Sequence, residues 1–174
     1  MTKHIYAALS GRAWRIMVAA SGLIALSGFS QCAGAQEALL SISGRGIEAI
    51  RLTLSQLAKL PSRRVTVTEQ DSGQSDYLCV PVSELLRLAK VPLGRDLRGE
   101  WLSRNLAVKA ADGYEAVFAL PELDPEFTNA AAALCYSKNG RAVPSSEGPL
   151  RLVIPGEKRH SRWVRQVVEI RVTN

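Results

Sequence analysis

The chain has 174 residues, 47% of them hydrophobic and 22% charged, with 22 Lys and Arg against 16 Asp and Glu. That balance excludes a disordered, collagenous or disulfide-dense chain and predicts one globular domain. With only two histidines, it also excludes a histidine-rich metal site.

Lys3, Arg12 and Arg15 frame the start of an apolar run from Ile16 to Phe29, and Ala33-Gly34-Ala35 follows as a small-residue cleavage site. This pattern predicts a secretory signal peptide over residues 1–35 and a mature domain over 36–174, in the periplasm or outside the cell. Ser21, Gly22, Ser27 and Gly28 interrupt the run, so no stable membrane span is expected once the signal is cleaved. A lipid anchor on Cys32 is the weaker alternative, because bulky Gln31 stands where such signals carry a small residue. Three basic and no acidic residues leave with the signal, taking the formal charge from +6 to +3.

Ala38 to Ser43 reads as a strand, Gly44-Arg45-Gly46 as a turn and Ile47 to Leu52 as a further extended piece. Thr53-Leu54-Ser55-Gln56 fits a capping box before a short helix, Leu54 to Lys59, that stops at Pro61. Arg64 to Glu69 alternates valine with threonine and predicts a strand, with a polar loop at Asp71 to Asp76. Tyr77 to Val80 feeds a helix from Val82 to Lys90, whose Val82, Leu85, Leu86 and Ala89 form one buried stripe. Val91 to Glu100 reads as loop. Asp112-Gly113 predicts a hairpin between Leu106 to Ala111 and Tyr114 to Leu120, and Asn139-Gly140 a second one. The last strand is predicted over Trp163 to Val172.

Between them, Gly148 to Trp163 joins an alternating strand, a Pro155-Gly156 turn and a basic loop holding Lys158, Arg159, His160 and Arg162. Period-two alternation puts Leu150, Leu152 and Ile154 in the core and turns Arg151 away from it. So much positive charge in one short loop needs solvent or an anion, which makes the loop a candidate site. Lys138 to Asn174 as a whole carries eight Lys or Arg against Glu147, Glu157 and Glu169. A small anionic ligand or an acidic partner surface fits this end better than nucleic acid, for which no reading motif is present.

Two cysteines remain in the mature chain. Cys79 and Cys135 either form a disulfide, closing a loop worth about 4 kcal/mol on the chain-entropy model, or stay separately buried as small hydrophobes. Trp163 reads as a core anchor and Asp112 as a turn residue; Trp101 is not placed by the sequence. No nucleophile elbow, P-loop or dinucleotide-binding fingerprint is present.

Five pieces occur in order along the mature chain: VSELLRLA at Val82 to Ala89; ADGY at Ala111 to Tyr114 followed by Phe118-Ala119-Leu120; Asn139-Gly140; GPLRLVIPG at Gly148 to Gly156; and Arg162-Trp163. With them the chain, from about Ser43 to Val172, resembles the sulfite-oxidase-type molybdopterin-binding domain in its small exported form. The resemblance implies an α/β (α+β) fold of mixed, mainly antiparallel sheets with short helices. It implies a basic cofactor-facing or oxyanion-facing site at Arg151 and Arg162, with Lys158 and Arg159 beside them. It also implies a metal-ligating cysteine in the first half of the domain, on or just after the strand matched by Arg64 to Glu69. That strand carries Thr66 and Thr68 but no cysteine, which leaves Cys79, directly before the Val82 helix, as the candidate metal ligand. Two functions follow. The first is a non-catalytic member, without cofactor, that binds an anionic small molecule or a partner protein. The second is a periplasmic molybdenum-cofactor-dependent oxidoreductase, with the metal on Cys79 and a separate electron partner.

Overall fold

Two five-stranded sheets carry the domain. The structure, a computed structural model, describes residues 37–69, 73–129 and 132–174. The predicted signal segment lies outside these residues. One compact unit covers Ala35–Asn174.

The first sheet has the order β2-β1-β10-β5-β6, built from β1 (Leu40–Gly44), β2 (Ile50–Leu52), β5 (Asn105–Ala110), β6 (Glu115–Ala119) and β10 (Val167–Thr173). β1 and β10 run parallel and the other neighbours antiparallel. The second sheet has the order β3-β4-β7-β8, from β3 (Arg63–Glu69), β4 (Gly73–Pro81), β7 (Ala133–Lys138) and β8 (Arg141–Ala142), with β9 (Arg151–Val153) also pairing β7. Mixed, mainly antiparallel sheets with short helices are what the family resemblance implies.

Local sequence explains most of these elements. Thr53 Oγ1 accepts from Gln56 N at 3.2 Å while Gln56 Oε1 accepts from Thr53 N at 2.9 Å, the reciprocal capping box of α1 (Leu54–Leu57). Helix α2 (Val82–Leu88) buries Val82, Leu85 and Leu86 and holds a Glu84–Arg87 ion pair outside. Asn139 and Gly140 both have positive φ, 51° and 74°, as a tight turn matching the strand twist requires. At the other hairpin Asp112 Oδ1 accepts from Tyr114 N at 2.9 Å, so this aspartate serves its own turn.

Three expectations are corrected. The polar loop at Asp71 to Asp76 is in large part strand, because β4 starts at Gly73 and pairs with the whole of β3 from Glu69↔Gly73 to Arg63↔Cys79. Gly73 and Gln74 are exposed on this hairpin and Asp76 Oδ1 accepts from Thr66 Oγ1 at 2.6 Å, while Ser75 is buried. The last strand starts at Val167 rather than Trp163. Gln166 has φ 48° and Trp163 follows a short 3₁₀ turn, His160–Arg162, so the chain bends here before it joins the sheet. The third correction is Arg151, which is buried along with its strand neighbours. Strand β9 is buried on both faces, and Leu152 N donates to Val164 O at 2.8 Å and Val167 N to Leu150 O at 2.9 Å, so the segment after the Pro155-Gly156 turn folds back along the edge that β7 leaves open. Alternation then chooses between two buried faces.

Candidate functional site

Arg151 leaves β9 toward the end of β3 and meets Glu69. Its Nη1 donates to Glu69 Oε1 at 3.1 Å, to the Tyr77 hydroxyl at 2.8 Å and to Glu147 Oε2. Lys138 Nζ lies 2.8 Å from Glu69 Oε2 and 3.5 Å from Glu147 Oε2, and Tyr77 donates its hydroxyl proton to Glu69. Strand register produces this gathering, since Tyr77 lies opposite Lys138 and Arg151 opposite Cys135 along the β4-β7-β9 ladder. Two cations and two carboxylates are thereby closed into a neutral cluster. Burial first, and then the hydrogen bond to Glu69, hold the Tyr77 hydroxyl far above the usual phenol range, against the pull of Arg151. It stays protonated and acts as a donor.

Cys79 and Cys135 are opposite one another on β4 and β7, where the ladder skips Tyr136. Their Cα atoms are 3.9 Å apart, the sulfurs are bonded at 2.03 Å, and both residues are wholly buried. Of the two readings of the pair the structure has the bridge, and the candidate metal ligand Cys79 is corrected with it: a bridged sulfur offers no thiolate.

A recess of about 430 Å³ opens beside the cluster, lined chiefly by Tyr114, His160, Ser161, Trp163, Arg165 and Gln166. The His160 ring stacks on Trp163 at 3.7 Å and 16°, and Tyr114 donates its hydroxyl to Ser161 O at 2.6 Å. Trp163 is buried as the sequence predicts, and it touches both places, because the Arg151 guanidinium lies 5.7 Å from its ring centre. Arg165 is exposed at the rim.

The four predicted basic residues do not come together. Arg151 is closed into the cluster. Arg162 pairs with Glu157 and, at 3.1 Å, with Glu122, and lies over the Phe118 ring at 4.8 Å. Partial burial works to lower its pKa, but the hydrogen bonds with Glu157 and Glu122 outweigh that and raise it. Lys158 and Arg159 are exposed on the loop and do not line the recess. The loop contributes His160 and Ser161 instead. Sequence reasoning missed Arg165, Tyr114 and Gln166 as recess residues; only the positive φ of Gln166 sets one of them apart, and a glutamine gives no sign of that in sequence. Trp101, unplaced by the sequence, carries the Arg104 guanidinium 3.8 Å over its ring, away from the recess.

The residues at the end of β3 do not fit a metal held by a thiolate. Neither Glu69 nor the three residues that follow it, Gln70, Asp71 and Ser72, is a cysteine, and the Glu69 carboxylate is held by Tyr77, Lys138 and Arg151. Among the described residues no group of three or more His, Cys, Asp or Glu could hold a metal ion.

A search of curated proteins finds no match. Among solved structures the chain is similar to the sulfane dehydrogenase SoxCD from Paracoccus pantotrophus, with a TM-score of 0.60 and 20% identity over 79% of this chain and 38% of that one. At that identity the likeness speaks for the fold, and this chain spans well under half of the enzyme chain it matches. The model of the oxidoreductase molybdopterin binding domain matches residues 30–174, most of the chain. A strand-rich domain with the five ordered sequence pieces and that match belongs to the oxidoreductase molybdopterin-binding domain family.

Proposed function

We propose that this protein is an exported, non-catalytic member of the family that binds a small anionic molecule in the recess beside Trp163. The observation that carries the reading is Glu69. It stands at the end of the strand where the family resemblance implies a metal-ligating thiolate, and its carboxylate is committed to Tyr77, Lys138 and Arg151. A carboxylate so neutralised is a poor replacement for a soft thiolate on a transition metal. The recess supports the binding half of the proposal. Arg165 offers a fork of donors suited to an oxyanion, His160 and Trp163 present stacked rings, and Lys158 and Arg159 add positive charge on the adjoining loop. Residues 1–35 act as the export signal, and the mature protein starts at Gln36.

The family match favours a second reading, an oxidoreductase that carries the molybdenum cofactor and draws on a separate electron partner. Arg151 and Arg162 would then face the cofactor, which requires Glu69, Glu147 and Glu157 to give up their present hold on them.

One preparation separates the two. The protein is exported from cells that make the cofactor, its N-terminus is read by mass, and its molybdenum and pterin are measured. Absence of both supports the non-catalytic reading, and near-stoichiometric molybdenum with releasable pterin overturns it in favour of the second. Sulfate or phosphate at matched ionic strength should raise the melting temperature, and Arg165→Ala should remove that rise. An unchanged rise in the variant would remove the recess as the site.

A further inference from the structure

The cluster beside Trp163 draws its members from four strands and one loop. Glu69 comes from β3, Tyr77 from β4, Lys138 from β7, Glu147 from the loop before β9 and Arg151 from β9. Buried cations need counter-charges, and here the protein supplies both of them itself. The fit is one of charge more than of shape. Arg151 Nε is buried with no hydrogen-bond partner among the described residues, so the carboxylates neutralise the guanidinium without using every donor it presents. Lys138 and Glu147, with side-chain exposures of 13% and 19%, form the side of the cluster nearest solvent, while Glu69 and Arg151, at 8% and 5%, form its floor.

We infer that Glu69 and Glu147 are built-in counter-anions that fill a basic cradle of Arg151 and Lys138, so that the domain completes its fold without an anionic cofactor and keeps this cradle closed to oxyanions. The inference rests on the non-catalytic reading, since a cradle filled by the protein's own carboxylates leaves neither Arg151 nor Lys138 open to a cofactor tail. Its chemistry is specific. A guanidinium and an ammonium that share two carboxylates offer the same donors to sulfate, phosphate or molybdate as soon as one carboxylate loses its charge. Glu147 is the natural one to remove, because it lies on the more open side and its loss leaves Glu69 to hold the floor together.

The test uses melting temperature in sulfate against chloride at matched ionic strength. All proteins in it carry Arg165→Ala, so that the recess contributes nothing. The Arg165→Ala protein should respond to the two salts alike. Adding Glu147→Gln should lower the melting temperature in chloride, and sulfate should restore about 3 °C or more of it, the order of effect expected when a ligand well above its Kd binds only the folded state. A sulfate response in the Arg165→Ala protein as large as in the double variant would show the cradle already open and overturn the inference, as would no response in either. A measurement without cluster variants stands beside it. Wild-type protein from cells that cannot make the cofactor should melt within about 1 °C of protein from cells that can, and a folded product only from the second overturns the inference. Molybdenum content decides the non-catalytic reading separately: a metal-bearing protein that still melts alike from both hosts would sink that reading while leaving the fold's independence standing.

Discussion

Arg151 and Arg162 stand on either side of the same Pro155-Gly156 turn, and the family resemblance treats them alike. Their surroundings differ. The Arg151 side chain is 5% exposed and shares Glu69 and Glu147 with Lys138, whereas that of Arg162 is 42% exposed and leans on Glu157 and Glu122 at the surface. A buried guanidinium cannot be separated from its carboxylates without leaving a charge in a poor solvent, while an exposed one falls back on water. The comparison teaches that basic character in a loop says little about an anion site until the partners of each cation are known. Of the cations from Lys158 onward, Arg162 and Arg171 are ion-paired among the described residues and Lys158, Arg159 and Arg165 are not, and of these three Arg165 lines the recess beside Trp163.

The contrast is tested most severely by Arg151→Met, which leaves Lys138 as the remaining cation of the cluster and Tyr77 as its remaining hydroxyl donor. It should lower unfolding stability by about 3–5 kcal/mol in a denaturant titration; a loss under about 1 kcal/mol would mean the cluster is no more demanding than a surface pair. The bridge on the same ladder has an effect of similar size. Replacing Cys79 and Cys135 together by alanine should lower stability by about 4 kcal/mol on the chain-entropy model, for a separation of 56 residues. Alkylation of the non-reduced protein should label neither Cys79 nor Cys135, and a labelled Cys79 would reopen its candidacy as a ligand.

Tyr77→Phe takes one donor from Glu69 and should cost about 1–3 kcal/mol. It also carries the pH signature of the cluster. Because the folded hydroxyl has a raised pKa, its contribution is fully present below the unfolded phenol value of about 10 and is lost as pH rises beyond it. Wild-type melting temperature should therefore fall between about pH 9 and 11 more steeply than that of Tyr77→Phe, and parallel profiles would exclude the tyrosine as the cause. Arg162→Ala should change stability by less than about 1 kcal/mol and leave the sulfate response intact. A loss near that of Arg151→Met would erase the distinction between the two arginines.

Much of the fold was legible in local signals. The capping box at Thr53, the stripe of α2, the Asp112-Gly113 and Asn139-Gly140 turns and the anchoring of Trp163 all depend on residues close in sequence or on one strong hydrophobic preference. The site was less legible. Arg151 reads as outward-facing because alternation reports two faces of a strand and not what covers them. Gly73–Asp76 reads as loop because a polar hairpin lacks the apolar period that marks a strand. Cys79 carried two incompatible roles until the β4–β7 register put it opposite Cys135.

The sequence by itself determined the strand-rich architecture, the turns and the family, since these depend on periodicity, on residues that tolerate particular backbone angles and on short ordered motifs. Tertiary structure alone decided which cations are neutralised and that the Cys79 and Cys135 sulfurs are bridged. Glu69 and Arg151 lie far apart in the chain yet 3.1 Å apart in space. The strength of a charge or a ligand depends on the partners and solvent around it, and in a sheet protein those partners come from strands that only the folded register brings together.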